Sequence, residues 1–164
     1  MKKIILSLVL TLLVATTAAQ AQNQDQYVEL LRQDLRTMKT AIVTQGMAMT
    51  KAEGDAFWPV YREYETELAG IWDKRLALIQ SYADTYEAMD EKTADDIMMQ
   101  SLKLRSEREK LHANYYKKMK KEVGAILAAR FMQIDGVLAN LISLQISLEL
   151  PLVIETAPAA TEGE

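Results

Sequence analysis

The chain contains no cysteine, which excludes a disulfide framework, a lipid-anchored N-terminal cysteine and C-x-x-C chemistry. It contains a single histidine, His112, so zinc or copper(II) sites built from several histidines are excluded as well. The di-iron bundles need an E-x-x-H on each of two helices. Glu109-Lys110-Leu111-His112 supplies one such spacing, and a second cannot exist. With one histidine and no G-x-S-x-G, a Ser–His–Asp site has no support, and His112 reads as a surface or partly buried side chain. Gly-rich phosphate loops and H-E-x-x-H are also missing. Only six glycines and three prolines punctuate 164 residues, and no segment alternates apolar and polar residues as a strand would. The fold class is therefore all-α. No basic stretch is long enough to neutralise a run of phosphates, which argues against a nucleic-acid partner.

What is present begins with the leader. "MKKIILSLVLTLLVATTAAQAQ" has two lysines, an apolar run from Ile4 to about Val14 and a small-residue A-x-A site, the plan of a cleaved secretory signal. The run is shorter than the ~20 residues of a spanning helix. Cleavage is expected between Ala21 and Gln22, giving a periplasmic product without stable membrane insertion. Residues 22–154 then form one helical domain, and the acidic, small-residue tail 155–164 is expected to be disordered. Losing Lys2 and Lys3 with the leader takes the formal charge from −4 to about −6.

Hydrophobic periodicity predicts about four helices. The first runs from about Asp25 to Met47, with Leu31, Leu35, Met38 and Ile42 as its stripe and Gly46 near its end. Thr50-Lys51-Ala52-Glu53 is an [ST]-x-x-E capping box that opens a long second helix reaching about Met89. Its seam holds Phe57, Tyr61, Tyr64, Leu68, Ile71, Arg75, Leu78 and Tyr82, beside a row of Trp58, Glu65, Trp72, Ile79 and Tyr86. Pro59 lies inside this helix, where it removes an N–H and predicts a kink. Thr93-Ala94-Asp95-Asp96 is expected to cap a third helix with Ile97, Leu104, Leu111, Tyr115, Met119 and Val123 inward. That helix stops at Val123-Gly124. A fourth, from about Ala125 to Leu148, is apolar nearly all round and wants cover on two sides. Arg130, Asp135, Asn140 and Gln145 interrupt it, so that no stretch after the leader is expected to span a bilayer. The architecture expected is an elongated antiparallel bundle or hairpin of about four helices.

Two placements call for explanation. Arg75 and Arg108 fall within apolar stripes, so each must find an acidic partner or extend to water; buried interhelical ion pairs are the expectation. Eight methionines follow Met1. Thioethers ligate Cu(I), yet no three-Met cluster is discernible, and the methionines read as core filler and adaptable contact surface. Glu63, Glu65 and Glu67 alternate along a helix and share no face, so they read as a solvated edge. No catalytic, cofactor or metal set emerges, and the chain is not expected to be an enzyme.

"FWPVYREYETEL", "RLALIQSYADTY", "ARFMQIDGVL" and the closing "ELPLV" resemble a branch of the Spy/CpxP superfamily of periplasmic helical proteins, the LTxxQ-motif group. Met49-Thr50-Lys51-Ala52-Glu53 stands where L-T-x-x-Q would, with Met for Leu and Glu for Gln. Phe57, Trp58, Pro59, Tyr61 and Tyr64 form the signature of the branch. The resemblance implies an elongated helical hairpin assembly, often a cradle-like antiparallel homodimer. It implies binding of unfolded clients without ATP, or a role in envelope-stress signalling. Departures are the lack of a second L-T-x-x-Q, where the chain reads "VGAILAARFMQI", an acidic mature chain, and no histidine cluster for metal sensing. The other function weighed is a structural or interaction subunit dedicated to one envelope partner, such as a membrane sensor; the two-sided apolarity of the fourth helix motivates it.

Overall fold

The computed structural model describes residues 36–153. The leader, the cleavage point at Ala21 and Gln22, the start of the first helix and the tail 155–164 lie outside the described residues. The chain divides into two compact units, Met1–Gly46 and Met47–Glu164. The described residues of the first unit, 36–46, are helical and belong to helix α1, which runs over residues 36–47. The Thr40 and Thr44 hydroxyls donate back to the carbonyls of Arg36 and Thr40, at 2.9 and 2.8 Å.

The second unit contains α2 (Lys51–Thr85), a single 3-10 turn (Tyr86–Ala88) and α3 (Glu91–Glu149). No strand occurs among the described residues. α2 starts at a complete capping box. The Thr50 hydroxyl accepts from the Glu53 N–H at 3.3 Å, and the Thr50 N–H donates to Glu53 Oε2 at 2.8 Å. That hydrogen bonding holds the Glu53 carboxyl below the usual carboxylate range. The chain enters this cap through Ala48, which adopts a left-handed φ of 47°. α1 ends at Met47, where it was expected to end, and Gly46 is still helical. α2 remains helical on both sides of Pro59, whose missing N–H leaves the Asp55 carbonyl without its usual donor.

Two boundaries differ from expectation. α2 ends at Thr85 rather than near Met89, and one 3-10 turn covers the next three residues. The cap of α3 is Asp90, not Thr93: the Asp90 carboxylate accepts from the Thr93 N–H at 2.7 Å. Aspartate is at least as good an N-cap as threonine, so both residues are competent and local preference alone does not choose between them.

α3 is not straight. Arg108 and Asp135 are 27 positions apart, which in a continuous helix would separate them by about 40 Å. Their side chains nevertheless meet at 3.2 Å. The chain doubles back at Gly124, whose φ of 81° and ψ of 166° interrupt the helical dihedrals. Only glycine adopts that backbone without strain. The pairings of α2 give the direction of each half. Glu63, Glu67 and Lys74 meet Lys118, Tyr115 and Glu107, a descending order, so the first half of α3 runs antiparallel to α2. Tyr64, Arg75 and Tyr82 meet Asp135, Ser143 and Pro151, an ascending order, so the second half runs parallel to it. Three helical segments therefore pack up, down and up.

Most of the core lies toward the Gly124 end of this unit, with Tyr82 and Met89 also buried toward the other. Phe57, Val60, Tyr61, Tyr64 and Leu68 of α2 pack with Leu111, Tyr115 and Met119, and with Leu127, Ala128 and Phe131. Edge-to-face ring pairs join Phe57, Tyr61 and Tyr64 to Phe131, with centroids 5.4 to 5.7 Å apart, a preferred aromatic geometry. By composition, α3 contains a stretch with a mean hydropathy of 1.4 that is long and apolar enough to cross a membrane, of which 22% is buried. This corrects the expectation that no such stretch follows the leader. Asn140 and Gln145 interrupt the run without adding charge, and the many leucines, isoleucines and valines around them keep its mean hydropathy high.

Candidate functional site

Packing three helical segments brings polar side chains from all of them to Asp135. Its side chain is 1% exposed. The Tyr64 hydroxyl donates to Asp135 Oδ2 at 2.6 Å, and Arg108 Nη2 lies 3.2 Å from the same oxygen. His112 Nε2 is 3.5 Å away. Each residue reaches the centre by helical spacing: Arg108 and His112 are one turn apart on α3, and Asp135 lies one turn after Phe131 on its second half. Burial, followed by the Asp135 charge, pushes the Tyr64 phenol far above the ordinary tyrosine value. The phenol is therefore a permanent donor. Arg108 Nε and His112 Nε2 are buried without a hydrogen-bond partner among the described residues.

Acid–base groups meet here with Asp135 itself almost fully buried, while the Arg108 and His112 side chains each keep 20% of their surface exposed. The concavity lined by Arg36, Thr37, Thr40, Ala41, Thr44 and Gln45 is a wide-open surface along α1, in the other unit. Among the described residues no group of three or more His, Asp or Glu side chains is placed to hold a metal ion. What the Asp135 centre does is fix register, because it joins the second half of α3 to Tyr64 of α2 and to Arg108 and His112 of the first half of α3.

The two arginines of the apolar stripes have different fates. Arg108 pairs with Asp135, and also with Glu109 at 3.3 Å. Arg75 has no carboxylate partner among the described residues, contrary to expectation. Its Nη1 donates to the Ser143 hydroxyl at 3.1 Å, and its guanidinium sits 4.9 Å from the centre of the Trp72 ring. Burial, then the charges of Arg105 and Arg108, draws its pKa below the ordinary arginine value. A hydroxyl and a π-face suffice because the group is only partly removed from water.

The signature aromatics separate by burial. Phe57, Tyr61 and Tyr64 are core, while Trp58 is half-buried and packs edge-on against Phe57 and Tyr61 at 5.2 and 5.3 Å. Met49 is half-buried, and Thr50, Glu53 and Pro59 fall at the start of α2 as capping residues and as a helix-interior proline. Arg130 donates to the Met47 carbonyl at 2.8 Å. Sequence reasoning missed Asp135, treating it as an interruption of an apolar run. A signal existed: it falls in the buried series Ala128, Phe131, Asp135, Ala139, where a carboxylate must have a partner.

The opposite end of the unit is different. Leu76 of α2, Met98, Met99 and Leu102 of the first half of α3, and Leu141, Leu144 and Leu148 of its second half are all exposed. Val137, Leu141, Leu144 and Leu148 step by four, three and four along a single helix face, on the side away from Asp135. At the same end, the Tyr82 hydroxyl donates to the Pro151 carbonyl at 2.8 Å and the Tyr86 hydroxyl to the Leu152 carbonyl at 3.1 Å. No family model, curated protein or solved structure matches this chain.

Proposed function

We propose that this protein is an exported, periplasmic, ATP-independent chaperone-like or envelope-stress adaptor protein of the Spy/CpxP kind, binding unfolded or partner polypeptides and carrying out no catalysis. The observation that supports this reading is the exposure of large apolar side chains on α2 and on both halves of α3, among them Leu76, Met98, Met99, Leu102, Leu141, Leu144 and Leu148. Leu148 leaves 77% of its surface in water, and Met98 and Met99 more than half of theirs. Grouped apolar exposure of this kind marks interaction surfaces, and methionine adapts to partners of many shapes. The elongated bundle of about four helices, kinked at Pro59, its homodimeric state and the absence of stable membrane insertion belong to the same proposal.

The alternative, a subunit dedicated to one envelope partner, draws on the regular step of Val137, Leu141, Leu144 and Leu148, which suits the groove of one partner helix. Affinity purification from envelope extracts separates the two: a diffuse set of captured chains supports the chaperone reading, and one stoichiometric partner the alternative.

A further inference from the structure

Because the chain has no cysteine, the thiol that two-electron oxidants attack first is missing, and methionine is the most readily oxidised side chain it has. Its methionines differ sharply in access. Met47 and Met119 are fully buried and Met89 is nearly so. Met98 and Met99, consecutive on the first half of α3, leave 56% and 58% of their surface in water. Leu102, also exposed, follows Met98 by four positions and Met99 by three, which places it beside both on the helix surface. Neither methionine belongs to the core, so a change in its polarity alters the surface and leaves the packing alone.

We infer that Met98 and Met99 form an oxidant-sensitive modification site: peroxides convert both thioethers to sulfoxides, and the conversion removes the apolar contact surface they make with Leu102. At each site the sulfur lone pair attacks one oxygen of hydrogen peroxide. The O–O bond breaks and that oxygen stays on sulfur, which is oxidised by two electrons. The other oxygen leaves with both protons as water. A flexible hydrophobe thereby becomes a polar, chiral hydrogen-bond acceptor, and methionine sulfoxide reductases reverse the change. The consequence for client binding rests on the function proposed above; the modification itself does not.

The test treats the full mature chain with hydrogen peroxide and reads each methionine by peptide mass after trypsin. Cleavage after Lys92 and Lys103 releases a peptide carrying Met98 and Met99 and no other methionine, and cleavage after Arg75 and Lys92 releases one carrying Met89 alone. The first is expected to gain oxygen about tenfold faster than the second. Fluorescence of an apolar dye bound to the chain is expected to fall by about a third on oxidation, with helicity by circular dichroism unchanged. The double variant Met98→Leu, Met99→Leu keeps the apolar surface without the thioethers and should hold its dye signal under the same treatment. Met38 of α1 is exposed as well, and this variant separates its contribution because it leaves Met38 in place. Equal oxidation of the two peptides overturns the inference. A dye signal unmoved by oxidation, or one that falls equally in the double variant, overturns it too. Suppression of client aggregation is measured on the same samples: suppression that survives oxidation of Met98 and Met99 counts against the switch. Its absence in the untreated chain counts against the client-binding reading alone, and the peptide and dye results still decide the site.

Discussion

Replacing Arg108 with Met removes the one strong cation facing a carboxylate that has almost no solvent. At 3.2 Å and an effective dielectric near 20, the direct attraction is about 5 kcal/mol, most of it offset by the desolvation of both groups. Breaking such a pair from one side costs about 3 to 5 kcal/mol, because the surviving charge is stranded. The Tyr64 hydrogen bond to Asp135 survives the substitution, so about 3 kcal/mol is expected for Arg108→Met. Asp135→Leu leaves Arg108 partly exposed and still beside Glu109, while orphaning the Tyr64 hydroxyl, and is expected to cost about 2 kcal/mol. The double variant strands no charge. It should therefore fall well short of the sum of the two single losses, with a coupling energy of about 2 to 3 kcal/mol. Urea unfolding at neutral pH measures all four corners of this cycle. Additivity to within about 0.5 kcal/mol would refute the role given to the buried pair.

Gly124→Ala is expected to destabilise by about 1 to 3 kcal/mol; nothing lies within 4 Å of the added Cβ, so the loss comes from the backbone alone and urea melts should show it without a change in helicity. Ala48→Gly relieves a left-handed φ and should leave stability unchanged or raise it by up to about 1 kcal/mol. Trp58→Ala, at a half-buried aromatic, should cost about 2 kcal/mol while leaving client binding largely intact; unchanged melting with lost binding would make Trp58 a contact residue. The phenols of Tyr64, Tyr82 and Tyr115 are all raised, chiefly by burial. A raised pKa contributes stability that is complete below the unfolded value and is lost as pH rises, so chemical melts should weaken above about pH 10, and Tyr64→Phe should flatten that slope. On the acid side Glu53, Asp90 and Glu107 are lowered by hydrogen bonds from Thr50, Thr93 and Lys74 respectively. Their contributions should be lost as pH falls below about 4.

Local chemistry made much of this fold readable. The Thr50–Glu53 box and the Gly124 break depend on residues adjacent in sequence, and the buried stripe of α2 follows from helical period alone. Asp90 was harder to place because two cap-competent residues stand three positions apart, and only tertiary packing decides where the helix begins. Ala48 had no signal at all, since alanine does not advertise a left-handed backbone and Gly46 stood two residues away. The Asp135 centre was half legible. Arg108 stood out as a cation in an apolar stripe, but its partner lay across a hairpin, and the register of that hairpin is not written in either half. Arg75 shows the limit of the same reasoning. Of the two outcomes open to a guanidinium in a stripe, an acidic partner or extension to water, the ion pair was the expectation. A tryptophan face with a serine hydroxyl, on a partly exposed group, answered instead.

The most direct test of the proposed function is light scattering of an aggregating unfolded client in the presence of the mature chain. Its companion is a variant carrying serine in place of Val137, Leu141, Leu144 and Leu148, residues that contribute little to the core because they are exposed. The expected result is suppression at near-stoichiometric amounts by the wild-type chain and its loss in the variant, with the two chains melting alike. Unimpeded aggregation at a tenfold excess of the wild-type chain, or equal suppression by both, would contradict it.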